Sequence, residues 1–238
     1  MGKVDIVRVP VLPFNMVNAH LIVGEGGCVL VDAGLPGSED QVARVLASLG
    51  LSFADLKLIV ITHAHVDHAG GAARLRALSG APIVAHEEDG PHFRRQEPMT
   101  LCPTGWAASL FRKTPVPHQP YEAFSPDILL TDGEVLRLDE HGVAGEIRHT
   151  PGHTAGSLSV VLADKRALVG DLVASGVLIG GLFRLGRAIR PPFEDDPGAV
   201  GRELQSLLDL GVEKFFMGHG GPLEAREVHR HAARLMQM

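Results

Sequence analysis

The sequence predicts an α/β fold in which two β-sheets pack together and helices lie outside them. Segments typical of strands are followed by segments typical of helices twice, once in each half of the chain. The length of 238 residues fits one large domain or two small ones. Hydrophobic residues make up 45% of the chain and charged residues 21%, as in folded globular proteins. We predict a single domain over residues 1–238, with an irregular insertion at about 88–127.

The first half of the chain is predicted to form five strands and two helices. Valines that alternate from 7 to 11 indicate the first strand, and glycines bound the next two apolar runs. Ser38 is predicted to begin a helix because Gln41 follows it by three residues in a capping-box pattern, and Gly50 ends that helix. The strands are expected within 4–34 and at 56–62 and 82–85, and the helices at 38–50 and 69–78.

The second half of the chain repeats this order. Apolar runs at 157–162 and 167–169 flank a short polar turn, which predicts a hairpin. Residues 174–196 are rich in Gly, Arg and Pro and are predicted to form a loop. The pair Asp196-Pro197 is typical of a helix start. A last strand is expected at 213–217 and a last helix from Leu223.

The insertion at 88–127 breaks this pattern. It holds seven of the 16 prolines and the only tryptophan and tyrosine, Trp106 and Tyr121, and it shows no clean period. One helix is expected near 105–112. A long segment of this kind is either a lid over a site or a cover for the core, and the sequence leaves both alternatives open.

Charge and composition exclude several functional classes. The formal net charge is −6 and no long run of Lys or Arg is present, which argues against nucleic acid as the main partner. No run of 18 apolar residues predicts a membrane span, and residues 1–5 lack the features of a signal peptide. Because the two cysteines, Cys28 and Cys102, lie in different contexts, we expect a cytoplasmic protein with reduced thiols and no membrane partner.

The strongest functional signal is the segment 63–68, which places four metal-binding side chains within six residues directly after a predicted strand. Strands of α/β folds carry their chemistry at their carboxyl ends. His63 and His65 are two residues apart, so in an extended segment they point the same way and bind one ion. Asp67 and His68 lie beyond the bend and suit a second ion. This spacing favours a two-metal site, and such sites usually catalyse hydrolysis.

Three further polar residues, His153, Asp171 and His219, each follow a predicted strand and stand among small residues. Glycines beside them allow the backbone to approach a metal closely. Each is a weak signal alone, but with the segment 63–68 they complete seven candidate ligands. His86 also follows a strand, and it either supports the site or has a structural role. The remaining histidines show no ligand spacing: His20, His92, His118, His141, His149, His229 and His231.

The order of these motifs resembles that of the metallo-β-lactamase-fold hydrolases. Asp32, in the segment 31–34, matches the first motif of this superfamily, so the resemblance covers nearly the whole chain. It implies an αβ/βα four-layer sandwich, with two mixed β-sheets, helices outside and the metals at one edge. It also implies that Asp32 holds the ligand loop by hydrogen bonds. The alternative is that Asp32 only forms a turn before Gly34.

The resemblance also implies the role of each ligand. His63, His65 and His153 would bind one metal ion. Asp67, His68 and His219 would bind the other, and Asp171 would bridge the two. Imidazole and carboxylate ligands without thiolate suit Zn²⁺, with Fe²⁺ and Mn²⁺ as alternatives.

This ligand set implies a dinuclear metal-dependent hydrolase that uses a metal-bridging hydroxide. Two divalent ions bring four positive charges, of which Asp67, Asp171 and the hydroxide remove three. The remaining charge stabilises an oxyanion in the transition state, and the ions lower the pKa of the bridging water toward about 7. Asp67 is expected to move a proton to the leaving group.

Departures from known relatives narrow the substrate to a small-molecule ester, thioester or lactone, within a branch similar to glyoxalase II and the lactonases. Only 19 residues follow His219, unlike in glyoxalase II, and the only tyrosine, Tyr121, lies in the insertion, unlike in the lactonases. Weak candidates for holding a carboxylate or phosphate of the substrate are Arg184, Arg187 and Arg190, with a solvated loop as the alternative.

A second functional class stays open at this point. The same fold includes iron-dependent oxidoreductases such as the persulfide dioxygenases, so an oxidoreductase is the alternative to a hydrolase. The sequence specifies neither the substrate, nor the native metal, nor the oligomeric state.

Overall fold

The computed structural model describes residues 4–177 and 183–238, in which two six-stranded sheets are present. Six strands form the first sheet in chain order: β1 (Asp5–Leu12), β2 (Val17–Gly24), β3 (Gly27–Val31), β4 (Leu56–Val60), β5 (Ile83–His86) and β6 (Ile128–Leu130). β1, β2 and β3 pair antiparallel, whereas β3 to β6 pair in parallel. The carboxyl ends of β3, β4 and β5 therefore meet at one edge of this sheet.

The second sheet is formed mainly by the second half of the chain. Its strands are β7 (Val135–Arg137), β8 (Gly145–His149), β9 (Leu158–Leu162), β10 (Arg166–Leu168), β13 (Lys214–Phe216) and β14 (Leu223–Glu224). They lie in the order β14-β13-β10-β9-β8-β7, and only the β10–β13 pair is parallel. A separate hairpin pairs β11 (Ala174–Val177) with β12 (Phe183–Ile189).

The helices connect these strands. They are α1 (Glu39–Ser48), α2 (Val66–Ala69), α3 (Ala72–Ser79), α4 (Gly90–Phe93), α5 (Trp106–Phe111), α6 (Pro197–Asp209) and α7 (Ala225–Leu235). The side chain of Asp196 accepts a hydrogen bond from the Ala199 N–H and caps α6, as the sequence predicts. The predicted insertion contains α4 and α5, and Phe93 and Phe124 of this segment join the core.

Alternation along β4 shows how the layers pack. Leu58 and Val60 face the second sheet, where they meet residues such as Ile147 of β8. Ile59 and its neighbour Ile61 face the other way, into a core shared with the outer helices α1 and α3. A third core lies between the second sheet and the helices α6 and α7. The predicted four-layer sandwich of two mixed sheets with helices outside is therefore confirmed.

The prediction of a loop over 174–196 is wrong for most of its described part. β11 and β12 pair antiparallel there, with Ala174 opposite Ile189, and β12 packs against α7. Most of β12 is exposed, and its glycine and arginine composition is therefore typical of a loop although its backbone is paired. Residues 178–182 of the predicted loop lie outside the described residues.

Two details of the first half also differ from prediction. Ser38 itself has helical backbone angles (φ −76°, ψ −5°), and its hydroxyl does not cap α1, so the capping box is not formed. The helix predicted at 69–78 is divided into α2 and α3 at Gly70. A Cβ at Gly70 would lie 2.3 Å from the carbonyl oxygen of Val66, so this close approach requires glycine.

Helices in the described residues are all too short or too polar to cross a membrane.

Candidate metal centre

Strand ends bring the candidate ligands to one edge of the sandwich. The segment 63–68 leaves the carboxyl end of β4, and His65 is the residue at which α2 begins. Asp32 leaves the neighbouring strand β3, and its backbone N–H donates to the carbonyl of Val60 at 2.8 Å. His153, Asp171 and His219 reach the same edge from the second sheet, so all seven candidate ligands converge.

The first group of donors consists of three histidine nitrogens. His65 Nδ1 lies 3.1 Å from His63 Nε2 and 3.1 Å from His153 Nε2, and all three side chains are buried. Nitrogen ligands about 2.0–2.1 Å from a tetrahedral zinc ion are separated from one another by about 3.3 Å. The three nitrogens are thus spaced as ligands of one ion.

The second group combines Asp67, His68 and His219. Asp67 Oδ2 lies 3.4 Å from His219 Nε2 and 3.9 Å from His68 Nε2. Asp171 lies between the two groups, with Oδ1 3.4 Å from His68 Nε2 and Oδ2 3.0 Å from His219 Nε2. Its Oδ2 also lies 3.9 Å from His153 Nε2, which belongs to the first group. Asp171 is therefore the candidate ligand that contacts both groups.

Outer contacts orient several of these rings. Asp32 accepts a hydrogen bond from His68 Nδ1 at 2.8 Å and from the hydroxyl of Thr62, whose oxygen lies 3.0 Å from His63 Nδ1. His219 Nδ1 donates to the backbone oxygen of Met16. Partners of this kind fix the tautomer and direct the opposite nitrogen inward. Asp32 thus supports the ligand loop rather than only forming a turn.

Asp89 is a supporting residue that the sequence did not reveal. Its buried carboxylate accepts hydrogen bonds from the backbone N–H groups of Ala64 (2.8 Å) and Gly156 (3.0 Å) and from the hydroxyl of Thr154 (3.1 Å). The carbonyl of Ala64 accepts a bond from the Tyr121 hydroxyl at 3.0 Å. The loops that carry His65 and His153 are therefore joined through one carboxylate, which a pattern of ligand spacing cannot identify.

Burial makes the histidines of the first group neutral. It lowers the pKa of His65 to about 4, and it holds the pKa values of His63 and His153 well below the ordinary value. For His63 the neighbouring His68 adds to this effect. Neutral imidazoles offer the lone pairs that a metal ion needs.

Carboxylates reverse this effect in the second group. Burial alone lowers the pKa of His68 and His219, but Asp171 and the other carboxylates outweigh it. They hold the pKa of His68 well above its ordinary value and raise that of His219 to about 9. Burial raises the pKa of Asp171, but His219 and His68 together keep it well below the usual value. The carboxylates thus attract positive charge to the position of the predicted second ion.

The donors fit a pair of divalent cations. Nitrogen and oxygen donors without a thiolate suit Zn²⁺, Fe²⁺ or Mn²⁺. His68 Nε2 and Asp171 Oδ1 are buried and have no hydrogen-bond partner within the described part of the chain. Buried polar atoms of this kind normally find a partner, and a cation held at the centre would supply one.

A cavity of about 150 Å³ opens onto this centre. Its floor includes His65, Asp67, His153, Asp171 and His219. The walls are apolar and come from three places: the strand ends and loops of the first half, the insertion, and the segment after β12. The wall residues are Leu12, Met16, Val17, Leu35, Val66, Leu101, Phe111, Val116, Pro117, Pro192 and Phe193.

The arginines proposed to hold the substrate lie elsewhere. Arg190 Nε donates to Glu194 at 2.5 Å, Arg187 belongs to a surface groove beside α7, and Arg184 is exposed on β12. The residues that line the cavity include none of them. The described structure therefore gives these arginines no contact with the cavity: Arg184 and Arg187 lie on β12, which packs against α7, and Arg190 follows that strand.

A second cluster includes two histidines outside the centre. His86 lies with Asp132 and His149, and their ligand atoms are within 4.8 Å of one another. The sequence indicated no such contact for His149, since its partners come from β5 and from the turn between β6 and β7.

Residues 12–219 match the family model of the metallo-beta-lactamase superfamily. The hydroxyacylglutathione hydrolase GloC of Haemophilus influenzae is 28% identical over 71% of this chain and 71% of its own length. A probable metallo-hydrolase of Bacillus subtilis is 28% identical over 83% of this chain and 77% of its own.

Solved structures agree with this match. The crystal structure of a metallo-beta-lactamase family protein from Thermus thermophilus has a TM-score of 0.69 and 27% identity, covering 98% of this chain and 78% of its own. The Rm3 metallo-beta-lactamase, at 20% identity, has a TM-score of 0.68 over 98% of this chain and 89% of its own, which is a likeness of fold alone.

Proposed function

The chain belongs to the metallo-beta-lactamase superfamily, and from this premise we propose that it is a dinuclear metal-dependent hydrolase of a small-molecule ester, thioester or lactone. Most members of the superfamily are metal-dependent hydrolases. The observation that supports the proposal most directly is the position of Asp171, whose two carboxylate oxygens face His68 on one side and His219 and His153 on the other.

The proposed cofactors are two Zn²⁺ ions, with Fe²⁺ or Mn²⁺ as the alternatives that the same donors accept. His63, His65 and His153 would hold one ion, Asp67, His68 and His219 the other, and Asp171 both. When bound, the ions would polarise the substrate carbonyl and lower the pKa of a water molecule toward about 7.

We propose that Asp67 moves the proton. It lines the cavity, is only partly buried, and lies 3.4 Å from His219 Nε2. Hydrolysis consumes one water, whose oxygen bonds to the carbonyl carbon while the acyl C–O or C–S bond breaks. A carboxylate oxygen of Asp67 takes a proton from this water and gives it to the departing oxygen or sulfur.

The apolar walls complete the site. They exclude bulk water from the centre, and electrostatic interactions with the reacting carbonyl are stronger in such surroundings. The net charge of −6 further supports a small-molecule substrate in preference to a nucleic acid.

Metal analysis together with a substrate screen tests this proposal. We expect the protein to hold two zinc ions per chain and to hydrolyse at least one class among aryl esters, thioesters and lactones. Chelation and Asp67→Asn should abolish turnover, whereas Asp132→Asn, which removes a largely exposed carboxylate outside the cavity, should not. One iron per chain with oxygen-dependent consumption of a thiol would contradict a hydrolase and support the oxidoreductase alternative.

A further inference from the structure

We infer that the substrate carries a small, uncharged, apolar acyl group, about the size of a benzene ring, and that Phe111 and Phe193 limit its size. This inference rests on the proposed hydrolase function and names its substrate class. The acyl group would occupy the cavity beside the metal centre, with its carbonyl directed at the candidate ligands.

The composition of the cavity determines which charge it accepts. Every polar residue that lines it is a candidate metal ligand. Among residues 4–177 and 183–238, no Lys, Arg, Ser, Thr, Asn or Gln contributes to the lining. Residues 178–182 read Leu-Ile-Gly-Gly-Leu and carry no charged side chain. A charged acyl group would therefore lose its water without gaining a partner, which is strongly unfavourable.

The volume of the cavity determines the size of the group. It measures about 150 Å³. An apolar cavity of about this size in another protein binds benzene. One aromatic ring, or a short alkyl chain of similar volume, therefore fills the space beside the centre, and the end of a long chain would lie outside it and gain no further apolar contact there.

Two stacked rings form the wall between the centre and the insertion. Phe111 of α5 and Phe193 stack with centroids 5.8 Å apart and ring planes at 15°, and Phe193 lies 6.1 Å from the ring of His65. The Thr104 hydroxyl donates to the carbonyl of Pro191 at 2.7 Å, so the insertion is fastened to the segment that carries Phe193. Removal of the Phe111 ring would thus enlarge the cavity without touching a ligand.

This chemistry differs from what the name of one relative suggests. A hydroxyacylglutathione carries its ionic groups on the leaving thiol, but its acyl group carries a hydroxyl, for which the cavity offers no hydrogen-bond partner outside the candidate ligands. The three arginines of the β12 region lie away from the cavity, as described above. Apolar contact therefore governs selectivity on the acyl side.

A series of 4-nitrophenyl esters tests the inference because the leaving group stays constant. The zinc-loaded protein is assayed with the acetate, butyrate, benzoate and decanoate esters and with the mono-succinate ester, which adds a carboxylate to a chain like that of butyrate. From acetate to butyrate, kcat/KM should rise about fourfold for each methylene. The benzoate should be accepted, the decanoate should react no faster than butyrate, and the succinate should fall about 100-fold below butyrate.

Variants of Phe111 test the wall. Phe111→Ala should shift the preferred chain toward decanoate, and Phe111→Arg should reduce the butyrate-to-succinate ratio at least about tenfold by pairing the carboxylate. Leu110→Ala is the matched control, because Leu110 precedes Phe111 on α5 but is exposed and does not line the cavity. Each comparison is a ratio within one variant, so a partial loss of folded protein does not affect it.

Two results would overturn the inference: succinate hydrolysed as fast as butyrate, or a Phe111→Ala profile identical to that of Leu110→Ala. Calorimetric titration with butyranilide, a neutral amide of the same acyl group as butyrate, tests acyl selectivity independently of hydrolysis. Binding that is weakened in Phe111→Arg but not in Leu110→Ala, without turnover of any ester, would contradict the hydrolase and keep the acyl selectivity. Turnover of the esters without preference for chain length or charge would support the hydrolase and contradict the proposed acyl selectivity.

Discussion

Two clusters of histidine and aspartate lie near strand ends in the described part of the chain, and they differ in their surroundings and in the bonds of their nitrogens. The metal centre contains the seven candidate ligands at the edge of the sandwich. The second cluster contains His86 at the end of β5, His149 at the end of β8, and Asp132. Both clusters bring nitrogen and oxygen atoms together, but only the first opens onto the apolar cavity within the described part of the chain.

Each histidine of the second cluster uses one ring nitrogen in a hydrogen bond to the backbone. His86 Nδ1 accepts from the backbone N–H of Glu88 at 3.3 Å, so its proton lies on Nε2, which is 3.6 Å from Asp132. His149 Nε2 donates to the carbonyl of Ala155 at 2.7 Å. The rings stack with centroids 3.6 Å apart. A nitrogen that carries a proton cannot bind a metal ion, so we assign His86 a structural role, whereas His149 keeps a lone pair on Nδ1, which lies 3.1 Å from Asp132 Oδ1.

In the metal centre, several histidines form hydrogen bonds to outer partners through Nδ1 and direct Nε2 inward. His63, His68 and His219 bond outward through Nδ1, and their Nε2 atoms face one another. An outward bond orients a ring but does not by itself identify a ligand, since His149 makes one too. The distinction between the clusters lies in the cavity and in Asp171, which contacts both donor groups of the metal centre.

The largest expected effect tests this distinction directly. Asp171→Ala removes the residue shared by both donor groups but leaves the three histidines of the first group, so metal content should fall to one ion per chain or fewer and turnover should drop by about 10³-fold. Asp132→Ala makes the same change in the second cluster and should leave two ions bound. Metal content is measured by plasma mass spectrometry after dialysis. A loss of metal in Asp132→Ala would show that the second cluster also binds an ion.

A smaller effect is expected from the outward partner of His68. Asp32→Asn keeps the shape of the side chain but replaces a charged acceptor 2.8 Å from His68 Nδ1 with an amide. Metal affinity should fall by about 10–100-fold, as measured by competition with a chelator. An unchanged affinity would show that the orientation of His68 does not depend on Asp32.

Asp89 connects the two clusters, because the short turn that His86 begins ends at this residue. Asp89→Ala leaves the buried N–H groups of Ala64 and Gly156 without their acceptor. The free energy of unfolding in urea, measured with chelator present, should fall by about 2 kcal/mol. Glu88→Ala, an exposed neighbour, is the control and should change it little. Equal stabilities of the two variants would contradict a supporting role for Asp89.

The smallest effect concerns pH. Burial, followed by the neighbouring His149, lowers the pKa of His86 to about 4 from 6.5. Between these values the unfolded chain takes up a proton that the folded protein excludes, so the free energy of unfolding falls as the pH drops from 6.5 to 4. The slope of the unfolding free energy against pH measures how many protons unfolding takes up. In chelator-treated protein, His86→Gln should lower this number by a fraction of one proton, whereas His229→Gln, which changes an exposed histidine, should leave it unchanged. Equal slopes in wild type and His86→Gln would contradict the structural assignment.

The sequence revealed those parts of the protein that depend on local pattern. Strand alternation predicted the two sheets, and the dense segment 63–68 with the strand-end residues His153, Asp171 and His219 predicted the set that the structure brings together. The role of Asp89 was not predicted, because its partners Ala64 and Gly156 lie in loops that come close to it only in the folded protein. The apolar wall of the cavity was not predicted either, because the proline-rich insertion at 88–127 shows no hydrophobic period.

The arginines at 184, 187 and 190 illustrate a role suggested by the sequence for which the structure gives no contact. Their charge and their place after Asp171 suggested substrate binding, but Arg184 is exposed, Arg187 lies beside α7 and Arg190 pairs with Glu194. A composition rule cannot distinguish a loop from an exposed strand of the same residues.

The fastening of Thr104 to Pro191 has one more consequence. The residues proposed to hydrolyse the ester or thioester lie at strand ends. Much of the cavity wall proposed to select the acyl group belongs instead to the insertion, which a few hydrogen bonds and the Phe111–Phe193 stack join to the segment after β12. New selectivity can therefore be engineered by grafting residues into the stretch from Leu101 to Pro117, with the reactive core left intact.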